Sequence, residues 1–188
     1  MTQTALLDRL ESDLRQLMEQ SRSQFSALPE EVLLLHPEPG RWNALECFAH
    51  LNAFSDYFLP QIERAIHKSK ARSWAPVEER RQTWPGRMAI NAVRPENTSK
   101  KSRKSPKRMD PVRLTVRPFE FKAFLINGEM LLRCIQQARQ VNLNKTRVPH
   151  FRWPGFQFML GDLLEYMVLH LQRHVIQIQA TISKTRAA

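Results

Sequence analysis

The stretch GRWNALECFAHLNAFSDYF, residues 40–58, reads as the end of a loop followed by the start of a helix. Gly40 closes the run HPEPG, whose two prolines and glycine resist helical continuation. Asn43 is a strong N-cap, and Glu46 stands three residues on, where its carboxylate can reach back to the backbone amide of the cap. Behind the cap, Leu45, Phe48, Ala49, Asn52 and Ser55 map to one side of a helix. Cys47, His50, Phe54 and Tyr57 map to the neighbouring side. His50 therefore sits in the middle of a surface that otherwise faces a core. Pro60 should kink or end this helix, because it removes one hydrogen bond and clashes with the preceding turn; the reading continues the helix to about residue 69.

Three further helices follow from the same spacing rule. Leu6, Leu10, Leu14, Leu17, Met18 and Phe25 recur at three- and four-residue steps and give an amphipathic helix over about 4–27. Phe121, Phe124, Leu125, Leu131, Leu132 and Ile135 give one over about 119–141, with Gly128 a local weakness. Leu163, Tyr166, Met167, His170, His174, Gln177 and Thr181 form one stripe of a last helix over about 158–183. Residues 71–118 show little periodicity and hold six prolines, which reads as a long irregular connection. A loop of that length needs a reason, and a crossover between parallel helices supplies one. The segment NLNKTRVPHFRWPG reads as a second loop, and no stretch makes a convincing strand. The expected architecture is one all-α domain over 1–188, a four-helix bundle with a long crossover between its second and third helices.

At 188 residues the chain can bury a core without disulfides or structural metal. Its two cysteines, Cys47 and Cys134, make no disulfide framework and no CxxC zinc spacing. That usage points to a reducing, cytoplasmic setting. The first residues lack the basic-then-apolar order of a secretory signal, and nothing approaches the ~20 apolar residues of a membrane span. The formal charge of +11 is local: residues 68–117 hold 15 of the 29 Lys and Arg but only 4 of the 18 Asp and Glu, so the remainder cancels.

His170 and His174, four residues apart, project from one helical face and can reach a single ion. A pair at that spacing also arises by chance, and a hydrogen-bonded pair would be the plain structural reading. A third donor changes the balance. If the second and last helices are neighbours, His50 meets the pair at the bundle axis and three nitrogens surround one ion with a position left open.

The motifs GRWNALECFAHL, SKKSRKSPKRMDP and LHLQRHVIQI, in that order and spacing, resemble those of the DinB-like superfamily of metal-binding four-helix bundles. The resemblance covers about Leu6 to Ile182. It implies that His50 corresponds to the family's metal histidine in the second helix and that His170 and His174 correspond to its HxxxH pair. It also implies a zinc or nickel ion, a homodimer, and a long connection after the second helix. As to reaction, it implies either a transferase acting with a low-molecular-weight thiol, a metal-dependent hydrolase, or a member with no assigned activity.

Other residues near the three histidines admit two readings each. Gln177 could orient a ligand or a bound water, or be an ordinary polar residue at the bundle mouth. Tyr57 could donate to a substrate oxygen, although a packed tyrosine is the simpler reading. Glu46 is assigned to the capping box rather than to a base, and Cys47 to the core rather than to the metal. Arg173 could bind a substrate carboxylate or reach solvent. His36, His67 and His150 read as solvated, while Trp42 and Trp153 pack the bundle ends or wall a pocket. The basic run Lys100–Arg108 has no helix-turn-helix, zinc-finger or RNA-binding motif beside it, so it reads as a solvated loop or as a rim attracting an anionic small-molecule substrate. The competing function is a non-enzymatic binding or stress protein whose basic loop contacts an anionic partner.

Overall fold

The computed structural model describes residues 1–97, 105–151 and 155–187. Among the described residues six α-helices lie along the chain: α1 (Gln3–Phe25), α2 (Glu30–Leu34), α3 (Ala44–Ala71), α4 (Trp84–Val93), α5 (Glu120–Ala138) and α6 (Leu160–Ala187). Four of them form the bundle. α3 packs on α5 and α6, and α1 packs on the same two, so α1 and α3 face each other diagonally.

Hydrogen bonds at the two ends fix the helix directions. Where α3 and α5 finish, Asn142 N donates to Trp74 O at 3.0 Å and the Thr146 hydroxyl to Ser69 Oγ at 2.9 Å. Near where both begin, Asn52 Nδ2 donates to the carbonyl and the carboxylate of Glu120 at 2.9 and 2.6 Å. α3 and α5 are therefore parallel, and the chain between them must return the full length of the bundle. The long connection expected from the sequence has this cause.

α3 begins as its sequence dictates. Asn43 Oδ1 accepts from Glu46 N at 2.8 Å, and Glu46 Oε2 accepts from Asn43 N at 2.8 Å. Pro60 neither ends nor breaks it, and the helix runs on to Ala71. The position is exposed, so the carbonyl left without its usual donor, on exposed Asp56, can turn to water. The buried stripe of α1 (Leu6, Leu10, Leu14, Leu17, Met18 and Phe25) follows the sequence spacing closely.

Two expectations need correcting. The connection is not irregular throughout, because α4 lies inside it together with short 3-10 turns at Pro95–Asn97, Lys107–Met109 and Pro111–Arg113. The start signals of α4 are present: the Thr83 hydroxyl accepts from Gly86 N, and Pro85 occupies the first turn. Only Gly86, Ile90 and Val93 of α4 are buried, so its periodic stripe is too short to stand out among the prolines. The second loop also contains an antiparallel pair of three-residue strands, β1 (Arg147–Pro149) and β2 (Gln157–Met159). Three residues give no usable alternation.

Charge was also hidden in the fold. Arg80, on the crossover, donates to Asp162 Oδ1 at 2.8 Å and to Glu165 Oε2 at 2.7 Å, and Arg9 reaches the other oxygen of Glu165 at 2.7 Å. Thr83 gives both its backbone N–H and its hydroxyl to Asp162 Oδ2, at 3.0 and 2.7 Å. Arg80, Asp162 and Glu165 side chains are all nearly inaccessible to solvent. Gly86 belongs to the same contact, since a Cβ there would lie 2.1 Å from Asp162 Oδ2. The network pins the first half of the crossover to the start of α6. Asp162→Ala should cost about 3–5 kcal/mol, because it leaves a buried guanidinium short of a partner; urea unfolding reads this, and a loss below about 1 kcal/mol would show that the network does not hold the crossover.

Candidate metal centre

His50 lies in the second turn of α3, and His170 and His174 lie one turn apart on either side of the middle of α6. Because α6 runs antiparallel to α3, these positions fall at the same height of the bundle. The ring centroids of His50 are 5.3 Å from His170 and 4.8 Å from His174, and the last two are 4.7 Å apart. One nitrogen from each ring lies within 4.8 Å of the others. All three side chains are buried.

The walls are aromatic. Phe54 stands at 5.0 Å from His50 and 4.6 Å from His170, Tyr166 stacks on His170 at 5.4 Å, and Trp42 lies 5.0 Å from His50 and 6.4 Å from His174. Of the two roles open to Trp42, the wall is the one it takes. Burial in this cage holds the imidazoles neutral: it pushes His50 down to about 4 and His174 down to about 3, and holds His170 well below the ordinary range. Neighbouring imidazoles and Arg173 push His170 and His174 the same way.

The donor set fits a borderline metal ion. His50 Nδ1 lies 2.6 Å from Met109 O, and since a carbonyl only accepts, Nδ1 carries the proton and Nε2 keeps its lone pair. His174 Nδ1 is buried without a hydrogen bond, an expense a native core rarely leaves uncompensated. Among the described residues no carboxylate or thiol joins the cluster. Three neutral nitrogens without a carboxylate suit zinc or nickel better than magnesium or calcium.

Other residues singled out in the sequence take different places. Glu46 is committed to the capping box. Cys47 is fully buried, and burial pushes its thiol up to about 12, so it packs as an apolar group. Tyr57 packs edge-on against Phe58 and Phe151. Gln177 is exposed, and its side chain comes within hydrogen-bonding reach of His174, which opposes the downward shift. Arg173 turns away toward α4, its Nη1 3.5 and 3.4 Å from the carbonyls of Ala92 and Arg94. His36 donates to Arg41 O at 2.8 Å in the loop before α3, His67 is exposed, and His150 packs among Phe151, Phe156 and Phe158. Trp153 and residues 100–104 of the basic run lie outside the described residues; Lys107 and Arg108 are exposed. Met109 and Ser105, which touch His50, went unnoticed in the sequence, since a backbone carbonyl leaves no signature there.

A family model described as the DinB superfamily matches residues 7–178. The chain belongs to the DinB superfamily. Comparison with curated proteins and with solved structures gives no match. The all-α fold agrees with that membership, and a buried three-histidine cluster in a DinB-superfamily bundle is compatible with metal binding. No helix among the described residues is long and apolar enough to cross a membrane.

The depressed imidazole pKa values carry a stability signature for the metal-free DinB-superfamily chain. Above the unfolded value of 6.5 both states are neutral and the full stability is present. As pH falls below it the unfolded chain takes up protons that the folded one refuses, and stability drains until about pH 3–4. The melting midpoint of metal-stripped protein should fall by about 10–20 °C between about pH 7.5 and about pH 5. Replacing all three histidines by Gln should flatten that slope; a slope that survives the replacement would place its origin elsewhere.

Proposed function

We propose that His50, His170 and His174 bind one divalent ion, zinc or nickel, and that the protein is a metal-dependent transferase using a low-molecular-weight thiol as co-substrate. The observation that carries the metal reading is the convergence of three buried imidazole nitrogens, within 4.8 Å of one another, from two different helices. Their low pKa values favour the neutral form that a metal requires at pH 7, so no proton has to be displaced for binding.

When bound to three neutral nitrogens, such an ion supplies a Lewis acid that keeps a thiol or water deprotonated at neutral pH. The chain's own residues do the rest. Met109 O holds the proton on His50 Nδ1 and leaves the Nε2 lone pair free to ligate. Trp42, Phe54 and Tyr166 wall the site with rings and restrict water. Cys47, although one residue from the capping Glu46, stays protonated and does not compete for the ion. Transfer to a thiol is placed ahead of hydrolysis because a metal-bound thiolate stays nucleophilic at neutral pH; among the described residues no carboxylate joins the cluster, and Glu46 is held by the amide of Asn43.

Elemental analysis after loading should find about one zinc or nickel per chain, and His170→Ala should lose it while keeping the helical signal. Metal content unchanged in that variant would place the ion elsewhere. Nickel should quench Trp42 fluorescence, given the ring contacts with His50 and His174. A screen of thiol and electrophile pairs against the loaded protein then tests the reaction: thiol-dependent turnover supports the transferase, ester or amide turnover without thiol supports the hydrolase, and metal binding with neither leaves a binding protein.

A further inference from the structure

The partner that orients His50 comes from the crossover, 59 residues away in sequence. His50 Nδ1 and Met109 O are 2.6 Å apart, and Ser105 Oγ lies 3.3 Å from the same nitrogen and 3.1 Å from the same carbonyl. The proton count closes: the imidazole N–H is shared between the carbonyl and the Ser105 oxygen, and the Ser105 hydroxyl donates to the carbonyl. Met109 is itself held, with its side chain buried and its N–H bonded to Pro106 O at 2.8 Å. Asp110 caps the following turn through Val112 N. The upstream arm of the crossover also hangs on a metal-bearing helix, since Arg173, between the two α6 histidines, meets the carbonyls that end α4.

We propose that residues 105–110 are the positioning element of the metal centre, with Ser105 its positioning residue, so that docking of this segment and occupancy by metal stabilise each other. The inference rests on the metal reading given above. Its physical basis is that an ion on Nε2 makes the Nδ1 proton a stronger donor, while a carbonyl on that proton makes Nε2 a better ligand. A coupling of this kind is reciprocal: whatever the segment adds to metal affinity, the metal adds to docking of the segment. The fold supplies a second hold on the segment, because the Met109 side chain is buried in the core.

Hydrogen exchange of the full chain, with and without saturating zinc, tests the coupling. Amides of residues 105–114 should exchange about tenfold more slowly with zinc, while residues 75–82, docked at the opposite end, change little. Ser105→Ala should weaken zinc binding by about tenfold, Ser105→Thr should restore it to within about twofold, and the imidazole nitrogen shifts of His50 should show the Nδ1–H tautomer losing population in the alanine variant. A merely turn-forming serine, bonded to Pro106 O, would move neither zinc affinity nor tautomer. Zinc bound by the wild type with unchanged exchange over 105–114, or equal affinity in Ser105→Ala, overturns this proposal alone; a wild-type chain that binds no zinc overturns it together with the metal reading.

Discussion

The parallel arrangement of α3 and α5 is the constraint on which the remaining structure depends. Two parallel helices consecutive in the bundle oblige the chain to travel back along its whole length, and a segment that long loses much conformational entropy when it is held in place. It has to be anchored strongly at both ends. At the end where α3 finishes, the anchor is ionic, with Arg80 and Thr83 locked onto Asp162 and Glu165 at the start of α6. At the end where α3 begins, it is the hydrogen bond from His50 to Met109. The crossover therefore touches the two helices that carry the histidines at opposite ends of the bundle, and at one of them it touches a candidate ligand directly.

The two anchors differ in what they demand. The ionic one balances its charge: guanidinium groups meet two carboxylates, and Asp162 sits in the first turn of α6, where the helix dipole favours it. The histidine cluster does not close. Three imidazoles occupy an aromatic cage that disfavours their protonated forms, and His174 Nδ1 has no partner. Packing alone would be served better by three apolar side chains of similar size. A cluster left open in this way, at the midline of a bundle where helices from both directions meet, has the character of a site in which stability is exchanged for binding capacity.

Much of this was legible in the residues. The capping box at Asn43 and Glu46, the stripes of α1 and α6, and the pairing of His170 with His174 all arise from contacts within one helix, where spacing in sequence equals spacing in space. The start of α4 was legible in principle, through Thr83 and Pro85, but three buried positions were too few to outweigh six prolines around them. The strands were too short to show a period. The rule for proline expects a kink or an end at Pro60 whatever face it stands on, and here the helix continues past it to Ala71 with the proline on the exposed face.

The sequence by itself determined the four bundle helices, the cap of α3 and the three histidines as candidates, because each depends on residues within about two turns of one another. It also located the charge excess in one segment, which is a matter of counting. Only the tertiary structure decided that α3 and α6 bring His50 against His170 and His174, that Arg80 is spent inside the fold rather than on a partner, and that Met109 supplies the carbonyl on His50. These are contacts between groups dozens of residues apart, and one of the groups is a backbone atom that every residue carries. Nothing in the identity of Met109 announces its carbonyl; the register in which the crossover returns along the bundle puts it there.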